Sequence, residues 1–143
     1  MAIPNGAGGY QFGDGNLNEP LMGYLPAPLT ETGTTTVTLT AAEVTGGILI
    51  ANPGTTGTTY TMPIVVTSGG TTGVNDLISS AKVGSTFNWT VINIGTTTGD
   101  ITMAAGTGTG WTIVGSLTID NETSASFVAR KTSDTTWTLY RIA

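Results

Sequence analysis

One stretch in the second half of the chain, residues 84–93, constrains the fold more than any other part of the sequence. Its side chains alternate, with Phe87, Trp89 and Val91 on one side of an extended backbone and Asn88 among those on the other. Successive side chains of a β-strand point to opposite faces, and aromatic and β-branched residues favour strands. The alternation therefore predicts a strand that belongs to the core of the protein.

Further runs of the same kind indicate that the whole core is built from strands. Residues 123–131 and 136–142 alternate in the same way, and shorter runs recur upstream, separated by turns rich in Gly, Asn and Thr. Strands at intervals of about 8–12 residues are typical of a sandwich or a barrel. The expected fold is all-β, an antiparallel β-sandwich or a small jelly-roll-like barrel, with one short helix at residues 74–82. The Gly-Thr-Thr triplets in the turns do not recur at a fixed interval, which argues against a solenoid.

The N-terminal part of the chain differs from the remainder, so we divide the sequence into an extended N-terminal arm, residues 1–33, and a β-sandwich domain, residues 34–143. Glycines and four prolines interrupt the arm, and proline is excluded from central strands. Large apolar side chains nevertheless recur, more often than in a purely flexible tail. We expect the arm to dock on a neighbouring subunit or another partner; the alternative is a tail wrapped on its own domain. The candidate partner-binding residues are Ile3, Tyr10, Phe12, Leu17, Leu21, Met22 and Tyr24.

The composition excludes several classes of function. The chain has no Cys and no His, which removes the Ser-His-Asp triad, the thiol nucleophile and the commonest metal ligands, and no cofactor is expected. Charged residues make up 9% of the chain, against about 25% in an average domain. We interpret this deficit as a surface occupied by other protein or hydrated by hydroxyl groups. A net charge of −5 argues against nucleic acid as a partner. No apolar run is long enough to cross a membrane, and the first ten residues do not read as a signal peptide.

Two local patterns invite a catalytic or ligand-binding interpretation and are better explained as turns. The glycine-rich residues 106–110 lack the Lys and the following helix of a phosphate-binding loop. Asp120 and Glu122 could form a carboxylate pair or, with Asp100 and Asp134, a calcium site, but they show no regular ligand spacing. We expect solvated turn residues in both cases.

The three tryptophans leave a sharper alternative open. Trp89, Trp111 and Trp137 would form a sugar-stacking platform if they were exposed, whereas their places in alternating runs favour the core. Exposed and coplanar Trp111 and Trp137 would support a tail-fibre or receptor-binding module that recognises a bacterial surface glycan. A small hydrolase would need paired carboxylates in a cleft, and nothing in the sequence marks a cleft.

Four segments of the C-terminal half, residues 83–93, 101–116, 124–132 and 137–142, resemble small structural proteins of tailed bacteriophages, especially marine phages, of the head decoration or cement type. The resemblance implies a β-rich homotrimer that is made in the host cytoplasm and binds the outside of an icosahedral capsid. The arm would then contact the major capsid protein or a neighbouring copy. The resemblance transfers no catalytic residues, so it implies a structural protein of the virion and no enzyme.

Overall fold

The computed structural model describes residues 24–143, which form a mainly β fold as predicted. Within that range the elements are β1 (Leu29–Glu31), β2 (Val37–Thr38), α1 (Ala41–Thr45), β3 (Ile48–Ala51), β4 (Thr58–Thr61), α2 (Val74–Leu77), β5 (Thr86–Asn93), β6 (Ile101–Ala104), β7 (Trp111–Val114), β8 (Thr118–Ile119), β9 (Ser124–Lys131) and β10 (Trp137–Arg141). The strands make a six-stranded sheet of order β1-β3-β5-β9-β10-β7 and a four-stranded sheet of order β2-β4-β6-β8.

Most neighbouring strands run parallel, so the prediction of an antiparallel fold is wrong. Five pairings among the described strands are parallel, and only β5 with β9, β9 with β10, and β6 with β8 are antiparallel. The cause is the path of the chain, because β1 to β8 alternate between the two sheets. A turn that crosses to the other sheet does not make a hairpin, and the next strand in the first sheet returns in the original direction.

The first six strands form three successive coils, each of which adds one strand to each sheet. The register places Leu29, Leu49 and Val91 side by side in the larger sheet. In the smaller sheet Tyr60 lies between Val37 and Met103. These six strands wind as in a solenoid. The prediction against a solenoid, made because the turns keep no fixed period, is therefore wrong for them. The connections between coils differ greatly in length, and the winding therefore leaves no period in the sequence.

Two short helices are present in residues 24–143, where the sequence predicted one. At α1 the sequence left open one helical turn or a bend over residues 41–44, and the structure has a helix. It begins at a capping box, in which the Glu43 backbone N–H donates to the Thr40 hydroxyl and the Thr40 backbone N–H donates to Glu43 Oε2 at 2.6 Å. A Thr followed three residues later by Glu is the usual signature of a helix start. The predicted helix over residues 74–82 is shorter and ends at Leu77.

One core lies between the two sheets. The larger sheet contributes Leu49, Val91 and Leu139, and the smaller sheet contributes Tyr60 and Ile101 among others, all fully buried. Because each strand buries every second residue, the opposite side of each sheet is left to face outward. The outward side of the larger sheet provides the first candidate site described below.

Candidate protein-binding surfaces

The tryptophans belong to the core, as their positions in alternating runs predicted. Trp89 is fully buried, Trp137 is 1% exposed and Trp111 is 6% exposed. Each indole N–H has a partner, since Trp89 donates to the Glu43 carbonyl, Trp111 to the Pro63 carbonyl and Trp137 to the Asn75 side chain. Buried indoles cannot stack on a sugar, so these residues give no support to a glycan-binding platform.

The two patterns that invited a catalytic interpretation lie in turns. Residues 106–110 form a turn that leads directly into β7, and no helix follows them. Asp120 is exposed in the turn between β8 and β9, and Asp100 accepts a hydrogen bond from the backbone N–H of Asn121 at 2.9 Å. Within residues 24–143 no three acidic side chains come close enough to hold a metal ion. Both patterns therefore have a structural explanation.

The outward side of the six-stranded sheet, here called the outer face, is a broad surface with very little charge. The register across the strands brings its side chains into rows, and one such row is Asn88, Val128, Tyr140 and Val114. The outward residues are Thr30, Ile48, Ile50, Thr86, Asn88, Thr90, Ile92, Thr112, Val114, Ser124, Ser126, Val128, Arg130, Thr138 and Tyr140.

Apolar and hydroxyl side chains dominate the outer face. Ile50 lies directly opposite Ile92 on the neighbouring strand, and both are partly exposed. The hydroxyls of Thr90 and Ser126 lie 3.3 Å apart in the middle of the sheet and can hydrogen-bond to each other. Within the part of the chain that the structure describes, Arg130 is the one charged side chain among these outward residues. Charged side chains normally populate a water-facing surface, so this composition is typical of a surface that contacts other protein.

A second candidate surface is a groove of about 720 Å³ between β2, α1 and α2, here called the groove. Apolar side chains, which include Leu39, Ile64 and the half-exposed Leu77, lie beside threonine and serine hydroxyls. The residues that line it are Thr38, Leu39, Thr40, Ala41, Ala42, Pro63, Ile64, Ser68, Thr71, Thr72 and Leu77, none of which is charged.

A hydrogen-bond network holds the helix that forms one wall of the groove. The carboxylate of Asp76 accepts hydrogen bonds from the Thr67 hydroxyl and from the Gly73 backbone N–H. These two donors, the Thr67 hydroxyl foremost, lower the pKa of Asp76. Asn75 on the same helix donates to the backbone carbonyl of Asp134, which ties α2 to the loop between β9 and β10.

The structure describes only one of the predicted arm residues. Tyr24 is 91% exposed, and the other six, Ile3, Tyr10, Phe12, Leu17, Leu21 and Met22, lie outside the described residues. The last part of the predicted arm is a strand, since β1 pairs with β3 at the edge of the larger sheet. Neither the outer face nor the groove was predicted from the sequence, and for the outer face the absence of charge along β5 was the signal that could have indicated it.

Comparison with known proteins adds no relative to this description. No family model matches the chain, and no curated protein or solved structure is similar to it. Among residues 24–143 no helix combines the length and the apolar character that a membrane span requires.

Proposed function

We propose that this chain is a structural protein of a bacteriophage virion, a head decoration or cement protein that binds the outside of an icosahedral capsid and stabilises it. The observation that carries the proposal is the outer face, which presents apolar and hydroxyl side chains with Arg130 as its single charged member. The assignment to a phage head rests on the resemblance of the C-terminal segments to such proteins. The partners are then the major capsid protein and further copies of the chain in a homotrimer, the two sheets being the layers of a β-sandwich.

The outer face is large enough for most of one protein contact. Its six strands hold 32 residues, which at about 3.3 Å per residue and about 4.8 Å per strand cover roughly 500 Å². A standard protein interface buries about 800 Å² on each partner, so most of one such contact fits on this face. A protein that binds only the assembled shell lowers the free energy of the assembled state by mass action.

The proposal is tested by placing a charge on the outer face. Replacing Ile92 with Lys introduces a cation that must be desolvated in the contact, and we expect binding to empty phage heads to weaken at least about tenfold. Val83→Lys is the matched control, because Val83 is 57% exposed and lies in the loop before β5, outside the strands that form the face. Co-sedimentation of each purified variant with heads measures the binding. Equal binding by both variants contradicts the proposal.

Salt provides a second test of the same contact. An interface of apolar and hydroxyl groups is weakly screened, so we expect attachment to heads to persist in about 1 M NaCl. Release of the protein at that salt concentration would show that ion pairs hold it. Imaging of particles that carry labelled protein separates a head protein from the second candidate, a tail-fibre or glycan-binding module, which the buried tryptophans do not favour.

A further inference from the structure

An apolar segment near the start of the described chain has no cover among residues 24–143 of its own protomer. Residues 24–29, here called the strap, carry two prolines and no charge. Tyr24 is 91% exposed, Leu25 is 51% exposed and Leu29 is 44% exposed. Large apolar side chains that stay this exposed on an extended segment are typical of a segment that contacts another molecule.

The strap lies elsewhere than in the groove of the same chain. Leu25 Cδ1 is 2.9 Å from the position that a Cβ on Gly47 would occupy, so the strap packs beside the turn between α1 and β3. No strap residue lines the groove. Within residues 24–143 the chain therefore carries an uncovered apolar segment and an apolar groove that this segment does not fill.

The chemistry of the groove matches the strap. The two prolines have no N–H, so the backbone of the strap offers six carbonyl acceptors and only four N–H donors. The hydroxyls of Ser68, Thr71 and Thr72 are donors of the kind that such a backbone needs, and Leu77 with its apolar neighbours offers a surface for Tyr24 and Leu25. Neither surface carries a charge, so no unpaired charge is buried when they meet.

We propose that the strap of one copy binds in the groove of a second copy of this chain. Such a contact joins two different surfaces, and a contact of that kind closes into a ring when the rotation between copies permits, as in a trimer. The described residues of a single protomer leave the groove unfilled, and the second copy supplies the side chains that fill it. The inference extends the proposed function, whose homotrimer it would build, but its test uses the purified full chain without phage heads. A failure of the strap contact is therefore distinguishable from a failure of the proposed binding to phage heads.

Cysteine pairing gives a direct test, because the natural chain contains no cysteine. Two single variants, Leu25→Cys and Leu77→Cys, are mixed at equal concentration, one with a mass tag, and oxidised. A disulfide between these two cysteines can form only between copies. Binding of the strap in the groove raises the effective concentration of one thiol near the other. We expect this heterodimer to form at least about tenfold faster than the one between Leu25→Cys and Val83→Cys. Equal rates for the two pairs, or cross-linking of Leu25→Cys only with itself, would overturn the proposal.

A charge in the groove gives the second measurement. We expect Leu77→Asp to shift the protein from oligomer to monomer in native mass spectrometry, whereas Val83→Asp leaves the oligomer intact. Leu77 is 48% exposed and Val83 is 57% exposed, so neither change disturbs the core, and fluorescence of the buried tryptophans verifies the fold of each variant. A natural chain that is monomeric at every concentration, or an oligomer that survives Leu77→Asp, would also overturn the proposal.

Discussion

The side chain of Asn93, the last residue of β5, connects the two sheets. It is 1% exposed, and its Nδ2 donates to the carbonyl oxygens of Gly99 at 2.9 Å, Ile119 at 3.1 Å and Asp120 at 3.1 Å. Its Oδ1 accepts from the backbone N–H of Gly95 at 2.9 Å. Because β5 belongs to the larger sheet and Ile119 ends β8 of the smaller sheet, one amide group holds the ends of both sheets and the turn between β5 and β6.

We predict that Asn93→Ala lowers the free energy of unfolding by about 2–4 kcal/mol. The change removes the partners of the Gly95 N–H and of the Gly99 carbonyl, both on buried residues, whereas the Ile119 carbonyl still faces Ile101 in the antiparallel pairing of β6 with β8. An unsatisfied buried backbone group costs about 1–2 kcal/mol, and two such groups give the figure stated. A chain of this length is stable by about 7–20 kcal/mol, so the loss is a substantial part of the total.

Urea unfolding followed by tryptophan fluorescence measures this loss, because the three indoles are buried in the native state. The matched control is Asn88→Ala, the same substitution on the same strand at an exposed position of the outer face. We expect the control to stay within about 0.5 kcal/mol of the natural chain. If Asn93→Ala is no less stable than Asn88→Ala, the amide does not connect the sheets in the manner described.

Three further predictions concern pH and backbone packing. Burial, aided by two nearby carboxylates, raises the pKa of Tyr60 to about 12. The neutral Tyr60 side chain stabilises the fold fully below about pH 10, and this stabilisation is lost as the pH rises toward 12. Urea titrations of the natural chain should therefore show about 2–3 kcal/mol of alkaline destabilisation that Tyr60→Phe lacks. An identical pH profile for the two proteins would contradict this. Because the pKa of Asp76 is lowered in the folded protein, its carboxylate stabilises the fold above about pH 4, and this stabilisation is lost as the pH falls through the native pKa. Asp76→Asn should therefore reduce the acid dependence of the urea midpoint. An unchanged dependence would refute the role of the Thr67 hydroxyl. The Cβ of Gly73→Ala would lie 2.5 Å from a backbone carbonyl oxygen, so we expect this variant to lose about 1–3 kcal/mol of stability in thermal unfolding. In the control Gly57→Ala the nearest atom lies 3.7 Å from the Cβ, and the loss should be clearly smaller. Equal losses would contradict the clash.

The strands with strong alternation were predictable, and their pairing was not. The runs centred on Trp89, Phe127 and Leu139 correspond to β5, β9 and β10, and their inward residues are buried as the alternation indicated. Alternation is a local property, because the period of two follows from the backbone of a single strand. Whether a turn joins neighbours in one sheet or crosses to the other depends on the rest of the chain. The Gly and Asn residues of a turn look the same in both cases.

The candidate surfaces show the same division. The deficit of charge and the apolar N-terminal segment are visible in the sequence, and they predicted a chain that binds other protein. The sequence did not indicate that Ile92 and Val128 lie on one outward surface, or that Leu77 borders a groove with Thr38. A threonine that faces a partner and one that faces water have the same place in an alternating pattern, so only the register between strands separates them.

The amino-acid sequence by itself determined which segments are extended, which side of each is buried and how little charge the surface can carry, because these properties depend on residues close together in the chain. The tertiary structure decided that the strands alternate between two sheets and lie mostly parallel. It also decided that the outer face is continuous and that α1 and α2 enclose a groove. Those features require contacts between residues far apart in the chain, and such contacts form only when the whole core packs at once.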